Sequence, residues 1–162
     1  MKTEFRQVDS RREMRCLLAF DRQVFRASDR FPAEYWRTCE SHWLLVSGRK
    51  VGCCAFEPHV DFQDDLRGDG LNPPLHGSLY ICTTGILPNY HRMGFGQLMK
   101  AWEVGYARFH GFSRIVTNTR KRNAAMTALN LKFGFEIERT VGGYYFDPVD
   151  ATVVMSLRVP KL

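Results

Sequence analysis

The sequence predicts an α/β domain, a mixed sheet carrying helices on both faces. Three observations carry that expectation. Segments that alternate with period two are interleaved with segments of helical period, in the order βααββ-βα-βα-ββ. At 162 residues the chain has the length of one domain with a substantial core, so residues 1–162 are read as a single domain. Between Tyr80 and Met99 an apolar, β-branched strand, a glycine-bearing turn and a helix start follow one another without a break.

Taken in order, Thr3 to Val8 alternates as a first strand. Ser10 and Glu13 have the spacing of a capping box, and Met14, Leu17, Leu18, Val24 and Phe25 give a helix to about Arg26. Pro32 suits the first position of a short second helix. Trp43–Ser47 and Val51–Phe56 form a hairpin across Gly48-Arg49-Lys50. Residues 58–76, with four aspartates and Pro73-Pro74, read as a long polar loop, either an insertion or a flap over a substrate. Leu79–Ile86 is the fourth strand and Gly94–His110 the next helix. Arg114–Thr119 is a fifth strand, followed by a helix from Asn123 to Lys132 that Gly134 ends. Phe135–Val141 and Ala151–Val159 close the chain as a hairpin across Gly142-Gly143.

The turn after the fourth strand is where chemistry concentrates. Gly94 and Gly96 let the backbone approach a ligand with no Cβ in the way. The first-turn amides of the following helix have no intrahelical partner, and the helix dipole adds positive charge there. A strand, a glycine turn and a helix start also form ordinary connections, so locally an anion site and a plain turn stand level. The net charge of +6 suits a phosphorylated ligand or a nucleic acid. Arg120-Lys121-Arg122 is its sharpest cluster, a solvated loop or a phosphate contact. The basic residues are otherwise scattered and no recognition motif appears, so no nucleic-acid partner is expected. The five cysteines include no C-x-x-C pair and read as reduced core residues, with no metal site expected. The N-terminus carries no leader and no run reaches membrane-span length, so a soluble, cytoplasmic protein is expected.

Two patterns then point to a family. His91-x-x-Gly94-x-Gly96, preceded by Pro88 and an apolar strand, resembles the pyrophosphate loop of the GNAT acyltransferases. Asn123, Leu129, Lys132, Gly134 and Phe135 are similar to that family's second pattern, at the right distance from the first. The resemblance implies the GNAT fold, a mostly antiparallel mixed sheet of about seven strands. It implies acetyl-CoA as acyl donor and a primary amine of a small molecule, amino acid or peptide as acceptor. The backbone of Gly85, Ile86 and Leu87 would hold the pantetheine like an added strand. The amides of His91, Arg92, Met93, Gly94, Phe95, Gly96 and Gln97 would cradle the pyrophosphate, and Asn123 would reach the pantetheine near sulfur. Homodimers are frequent in the family, and nothing in the sequence decides the matter.

Departures from the family bear on catalysis. Asn130 stands where a tyrosine often protonates the leaving thiolate; an amide cannot do so, and Asn130 is counted with the cofactor contacts. The final segment resembles the peptide N-terminal branch, yet Asn118 replaces that branch's glutamate. Tyr80 and Cys82 then stand at base-bearing positions on one face of the fourth strand, and Glu57 is the nearest carboxylate by sequence logic. The Ile86 N–H is the expected oxyanion donor, and Tyr144 and Tyr145 are candidates to line the acceptor pocket. Transfer is expected to be direct, without an acyl-cysteine. The alternative reading is a module that binds CoA or acyl-CoA without turnover.

Overall fold

A computed structural model describes residues 1–58 and 77–160. The loop expectation at 58–76 falls almost entirely outside the described residues. The strands are β1 (Thr3–Gln7), β2 (Glu40–Val46), β3 (Arg49–Pro58), β4 (Ser78–Ile86), β5 (Arg114–Arg120), β6 (Glu136–Phe146) and β7 (Val149–Arg158). The helices are α1 (Arg11–Val24), α2 (Ala33–Thr38), α3 (Phe95–Phe109) and α4 (Ala124–Lys132). The seven strands form one sheet in the order β1-β2-β3-β4-β5-β7-β6. The registered pairs are antiparallel except β4 with β5, which run parallel. This is the expected mostly antiparallel mixed sheet. Within it the chain forms two compact units, Met1–Phe56 with Cys82–Met99, and Glu57–Ile81 with Lys100–Leu162.

The first unit is built where α1 lays its apolar stripe on the hairpin. Leu17, Phe20, Trp36, Trp43, Leu45, Cys53 and Ala55 make one buried cluster, with the rings of Phe20 and Trp43 edge to face at 5.3 Å. Ser10 caps α1 by accepting the Glu13 amide at 3.2 Å. The Glu13 carboxylate turns to the sheet, where it accepts from Trp43 Nε1 and from Lys50 Nζ at 2.9 Å. Lys50 first, then Trp43 and Arg6, hold Glu13 below the ordinary carboxylate range despite the opposing effect of burial. Pro32 is the N-cap of α2 rather than its first residue, with its carbonyl accepting from Tyr35 and Trp36. The hairpin turns at Ser47-Gly48, not at Gly48-Arg49-Lys50. Both turn residues have positive φ (48° and 80°), the geometry that matches the twist of a two-residue hairpin.

In the second unit β5 lies between β4 and β7. The β4–β5 ladder runs from Ser78↔Arg114 to Ile81↔Thr117, and the Thr117 hydroxyl donates to the Ile81 carbonyl at 3.0 Å. Asn123 caps α4 by accepting the Met126 amide at 3.2 Å, and Gly134 ends it at φ 87°. The last hairpin corrects the sequence reading. β6 runs straight through Gly142-Gly143, and the chain reverses at Asp147-Pro148, a cis peptide. At the glycines the β6–β7 register merely shifts, between Val141↔Thr152 and Tyr145↔Asp150, and the ladder resumes at the aromatic residues beyond. A proline, lacking an N–H to donate, belongs at the reversal rather than within the ladder.

Two buried ionisable features were not expected. Asp21 in α1 is 3% exposed, and its Oδ1 has no hydrogen-bond partner among the described residues. Burial raises its pKa to about 6, against the smaller opposing effects of Trp36, Arg30 and Arg22. In the second unit Lys100 and Glu103 of α3 are 1% and 0% exposed and pair at 2.5 Å, with the Lys100 ammonium over the Phe135 ring at 5.5 Å.

Each feature gives a prediction. The native state favours protonated Asp21, so its contribution is fully present below about pH 4 and is lost as pH rises to about 6, a penalty on the order of 3 kcal/mol. Asp21→Asn should therefore be the more stable protein at pH 7.5 by about 1–2 kcal/mol, with the advantage vanishing near pH 4 in urea unfolding. Removing one partner of the buried pair (Lys100→Met or Glu103→Leu) should cost about 3–5 kcal/mol, and the double variant should return most of that loss.

Candidate active site

In the first unit, the last turn of β4 is held in a narrow space. A Cβ on Gly85 would lie 2.9 Å from Val24 Cγ1 and 3.0 Å from the Phe25 ring, and one on Gly52 of β3 would lie 2.6 Å from Ile86 Cδ1. Leu87 N donates to the Val51 carbonyl at 2.9 Å, so the backbone of Gly85, Ile86 and Leu87 is fixed against β3 and the end of α1. A 3-10 turn at Pro88–Tyr90 follows.

The loop after it has the backbone of an anion cradle. Arg92 and Gly94 both take left-handed conformations, at φ 61° and 84°, and α3 begins at Phe95. Left-handed residues alternating with ordinary ones turn successive N–H groups toward a common point. Next to them lie the first-turn amides of α3 (Phe95, Gly96 and Gln97), which no earlier turn of the helix can satisfy. His91, Arg92, Met93 and Gly94 are exposed, and among the described residues nothing lies within 4 Å of the place a Gly94 Cβ would occupy. Among the described residues the space at Gly94 is thus open, and the loop's backbone fits a diphosphate. The His91 ring does not reach outward. Its Nε2 meets the Ile86 carbonyl at 2.8 Å and ties the loop back to the strand. The Tyr90 and Phe95 rings, 5.9 Å apart and edge to face, add a second tie across the loop.

In the second unit, a hydrogen-bonded group forms around Asn118. The Tyr80 hydroxyl donates to Asn118 Oδ1. Asn118 Nδ2 donates to Thr152 Oγ1 at 3.0 Å and, at a longer 3.5 Å, to the Tyr145 hydroxyl. The rings of Tyr144 and Tyr145 stand edge to face at 4.9 Å. Tyr80, Asn118 and Tyr145 thus come together from three strands. Sequence reasoning had Tyr80 and Tyr145 as separate candidates and set Asn118 aside as a lost base. Its place on β5, two residues beyond the Val116 that pairs with Tyr80, was the available signal, but a contact across 38 residues is not visible in local spacing.

The other sequence candidates are placed as follows. Cys82 is half-buried in the first unit, its sulfur 3.8 Å from that of Cys39, and neither is in a disulfide. Glu57 is half-buried near the end of β3. Asn123 uses its Oδ1 to cap α4. Asn130 is 1% exposed. Its Nδ2 points at the Met155 sulfur at 3.7 Å, and its Oδ1 has no partner among the described residues. Arg120 and Arg122 turn their guanidinium groups to the β6–β7 turn. Arg120 donates to the carbonyls of Pro148 (2.7 Å) and Asp147 (3.0 Å), and Arg122 to that of Val149 (3.0 Å) and to Asp150. Of the two readings of this cluster, a solvated loop or a phosphate contact, the structure shows neither for these two arginines, which anchor a turn. Burial acts to raise the Asp150 pKa, but the amides of Arg122 and Ala151 with the two arginines outweigh it and hold the carboxyl below its usual range.

Residues 11–135 match the family model described as Acetyltransferase (GNAT) family. Over 86 residues the chain is 37% identical to the N-alpha-acetyltransferase 50 of Danio rerio, a match covering 51% of this chain and 51% of that protein. The chain spans about half the length of the curated relatives it matches. Among solved structures, the ribosomal-protein-S18-alanine N-acetyltransferase of Escherichia coli is similar with a TM-score of 0.78 at 13% identity, covering 99% of this chain and 96% of that one. Arabidopsis thaliana NAA60, solved in complex with acetyl-CoA, also gives a TM-score of 0.78, at 16% identity over 98% of this chain and 99% of that one. At such identities these two likenesses speak to the fold.

Proposed function

Because the chain belongs to the GNAT acetyltransferase family, we propose that it is an acetyl-CoA-dependent N-acetyltransferase acting on a primary amine of a small molecule, amino acid or peptide. The observation that carries this reading is the left-handed Arg92–Gly94 backbone opening into free space at the start of α3. The relatives support an amine acceptor, since one is named an N-alpha-acetyltransferase and another a ribosomal-protein-S18-alanine N-acetyltransferase. They also support the donor, since one neighbour was solved with acetyl-CoA.

The amides from His91 to Gln97 hold the diphosphate. The strand-end backbone of Gly85, Ile86 and Leu87 holds the pantetheine arm, with the Ile86 N–H offered to the thioester carbonyl. Bound acetyl-CoA supplies an activated acyl group on a thiol that leaves readily. The acceptor arrives as an ammonium ion, since a primary alkylamine has a pKa near about 10.4, and must lose a proton before it can attack. Asn118 cannot take that proton, because an amide has no basic site at neutral pH. It does fix the Tyr80 hydroxyl. With its O–H committed to Asn118 Oδ1, the phenol oxygen can accept a hydrogen bond from the acceptor's N–H, while the proton that the ammonium loses goes to bulk water. Tyr80 thus orients the amine, and holding the reactants in place supplies most of the acceleration, on the order of 7–11 kcal/mol in well-oriented systems. Asn130 has no part in this scheme, because its side chain is buried. Cys82 also has none, because attack by the amine is direct.

A thermal-shift screen of CoA thioesters followed by amine-dependent thiol release tests the proposal. Acetyl-CoA at 100 times its Kd should add about 2.7 kcal/mol of stability, and thiol should appear only when an amine is present. Thermal stabilisation without amine-dependent thiol release would favour the module that binds without turnover. Gly94→Ala should weaken acetyl-CoA roughly tenfold while the fold survives, because the added methyl meets a left-handed backbone and the ligand rather than protein. Tyr80→Phe should lower kcat by about two orders of magnitude with acetyl-CoA affinity retained. Cys82→Ala should keep turnover; its complete loss with the donor still bound would indicate an acyl-cysteine.

A further inference from the structure

The β6–β7 turn is the part of the second unit least secured by its ladder. Past the register shift at Val141/Tyr145 only Tyr145↔Asp150 and Phe146↔Val149 pair before the chain reverses. What holds the turn instead is the end of β5. Arg120 forks onto two consecutive carbonyls, those of Asp147 and Pro148. The same guanidinium lies over the Tyr145 ring, its central carbon 4.1 Å from the ring centroid. Tyr145 in turn has its hydroxyl within 3.5 Å of Asn118, the residue that receives the Tyr80 hydroxyl. One side chain therefore links the turn, the Tyr145 ring and the polar group around Tyr80.

We propose that Arg120 is a positioning residue for the amine acceptor, locking the Tyr145 ring and the 147–148 turn into one fixed wall beside the Tyr80–Asn118 pair. The inference rests on the acetyltransferase reading above and assigns to it the residue that shapes the acceptor side. Arginine is the side chain this task requires. Its planar fork donates to two carbonyls while its face covers an aromatic ring, whereas a lysine ammonium can take one of these roles at a time. A turn bound to β5 only through the backbone would leave the ring free to rotate, and the wall would lose its shape.

The consequence is selective. Arg120→Lys should raise KM for the amine roughly tenfold, change kcat by less than about threefold, and leave KM for acetyl-CoA unchanged. Tyr145→Leu should raise the amine KM similarly, and adding Arg120→Lys to Tyr145→Leu should raise it no further, since the arginine acts through the ring it no longer has. Fully additive effects on KM, or a fall in Tm with an unchanged amine KM, would overturn the assignment and leave Arg120 a structural clamp. Should Arg120→Lys fail to fold, Arg120→Gln makes the same comparison. The wild-type protein labelled with 3-fluorotyrosine provides a further measurement. The fluorine resonance that Tyr145→Leu removes should shift when the amine saturates the protein, and a resonance indifferent to the amine counts against the proposal. Failure of the underlying reading looks different. A wild-type protein that releases no thiol with any amine rejects the acetyltransferase itself, and Arg120's acceptor role falls with it, whereas an active wild type with additive variants rejects Arg120 alone.

Discussion

The structure depends on how β4 ends. Its last residues must present a backbone edge and then turn at once into a loop of converging amides, and neither is possible if the strand end can move. The space around it is set by two absent side chains. With no Cβ at Gly52 the Ile86 side chain can lie across β3, and with none at Gly85 the end of α1 can press Val24 and Phe25 onto the strand. A methyl at either place would meet heavy atoms at 2.6–2.9 Å, closer than packed atoms approach, so the strand or the helix would have to shift. The Leu87–Val51 hydrogen bond completes the constraint.

The loop that follows is strained, and the strain is local. Arg92 is a non-glycine residue with a left-handed backbone, a conformation that costs about 1–2 kcal/mol for a residue with a Cβ. It persists because both sides of the loop are tied down, by the His91 ring on the Ile86 carbonyl before it and by Phe95 packed in the core beside Tyr90 after it. The His91 imidazole reaches five residues back to the Ile86 carbonyl and stabilises the loop from within. It leaves the loop's amides available, because they belong to the backbone.

How much of this was legible depended on the range of the interaction involved. The caps at Ser10 and Asn123, the Gly134 stop and the strand–loop–helix unit after Tyr80 are all decided within a few residues, and the sequence displays them. The final turn was misread because Gly142-Gly143 is the stronger local turn signal. The sheet overrides it, since Tyr145 and Phe146 continue the ladder past the irregularity. Glu13 looked like half of a capping box, and only the packing of α1 onto the hairpin shows its carboxylate with Trp43 and Lys50. Lys100 and Glu103 carry no mark of their burial in the local sequence. Their burial follows from the covering of α3 by residues such as Phe135, far along the chain. The Tyr80–Asn118 contact is of the same kind, since it required the parallel register of β4 and β5.

Asn118 and Asn130 show why residue type alone could not assign the chemistry. Both replace an ionisable side chain of the family pattern, and both invite the inference that catalysis has been lost. Their surroundings differ. Around Asn118 hydroxyl groups satisfy both ends of the amide, with Tyr80 donating to its oxygen and Thr152 accepting from its nitrogen. An amide accepts from one hydroxyl and donates to another through a rigid plane, so the Tyr80 O–H points at Asn118 while the Thr152 hydroxyl accepts from Asn118 and donates onward to the Thr119 carbonyl. A glutamate carboxylate would instead draw both O–H groups onto itself. Around Asn130 the nitrogen has only a thioether and the oxygen no partner among the described residues, an arrangement that costs on the order of 1–3 kcal/mol. The first asparagine therefore organises a polar group, and the second is a cost in a packed interior. What survives at β5 is the orientation of a phenol, and an amine held against a thioester needs orientation more than it needs a strong base.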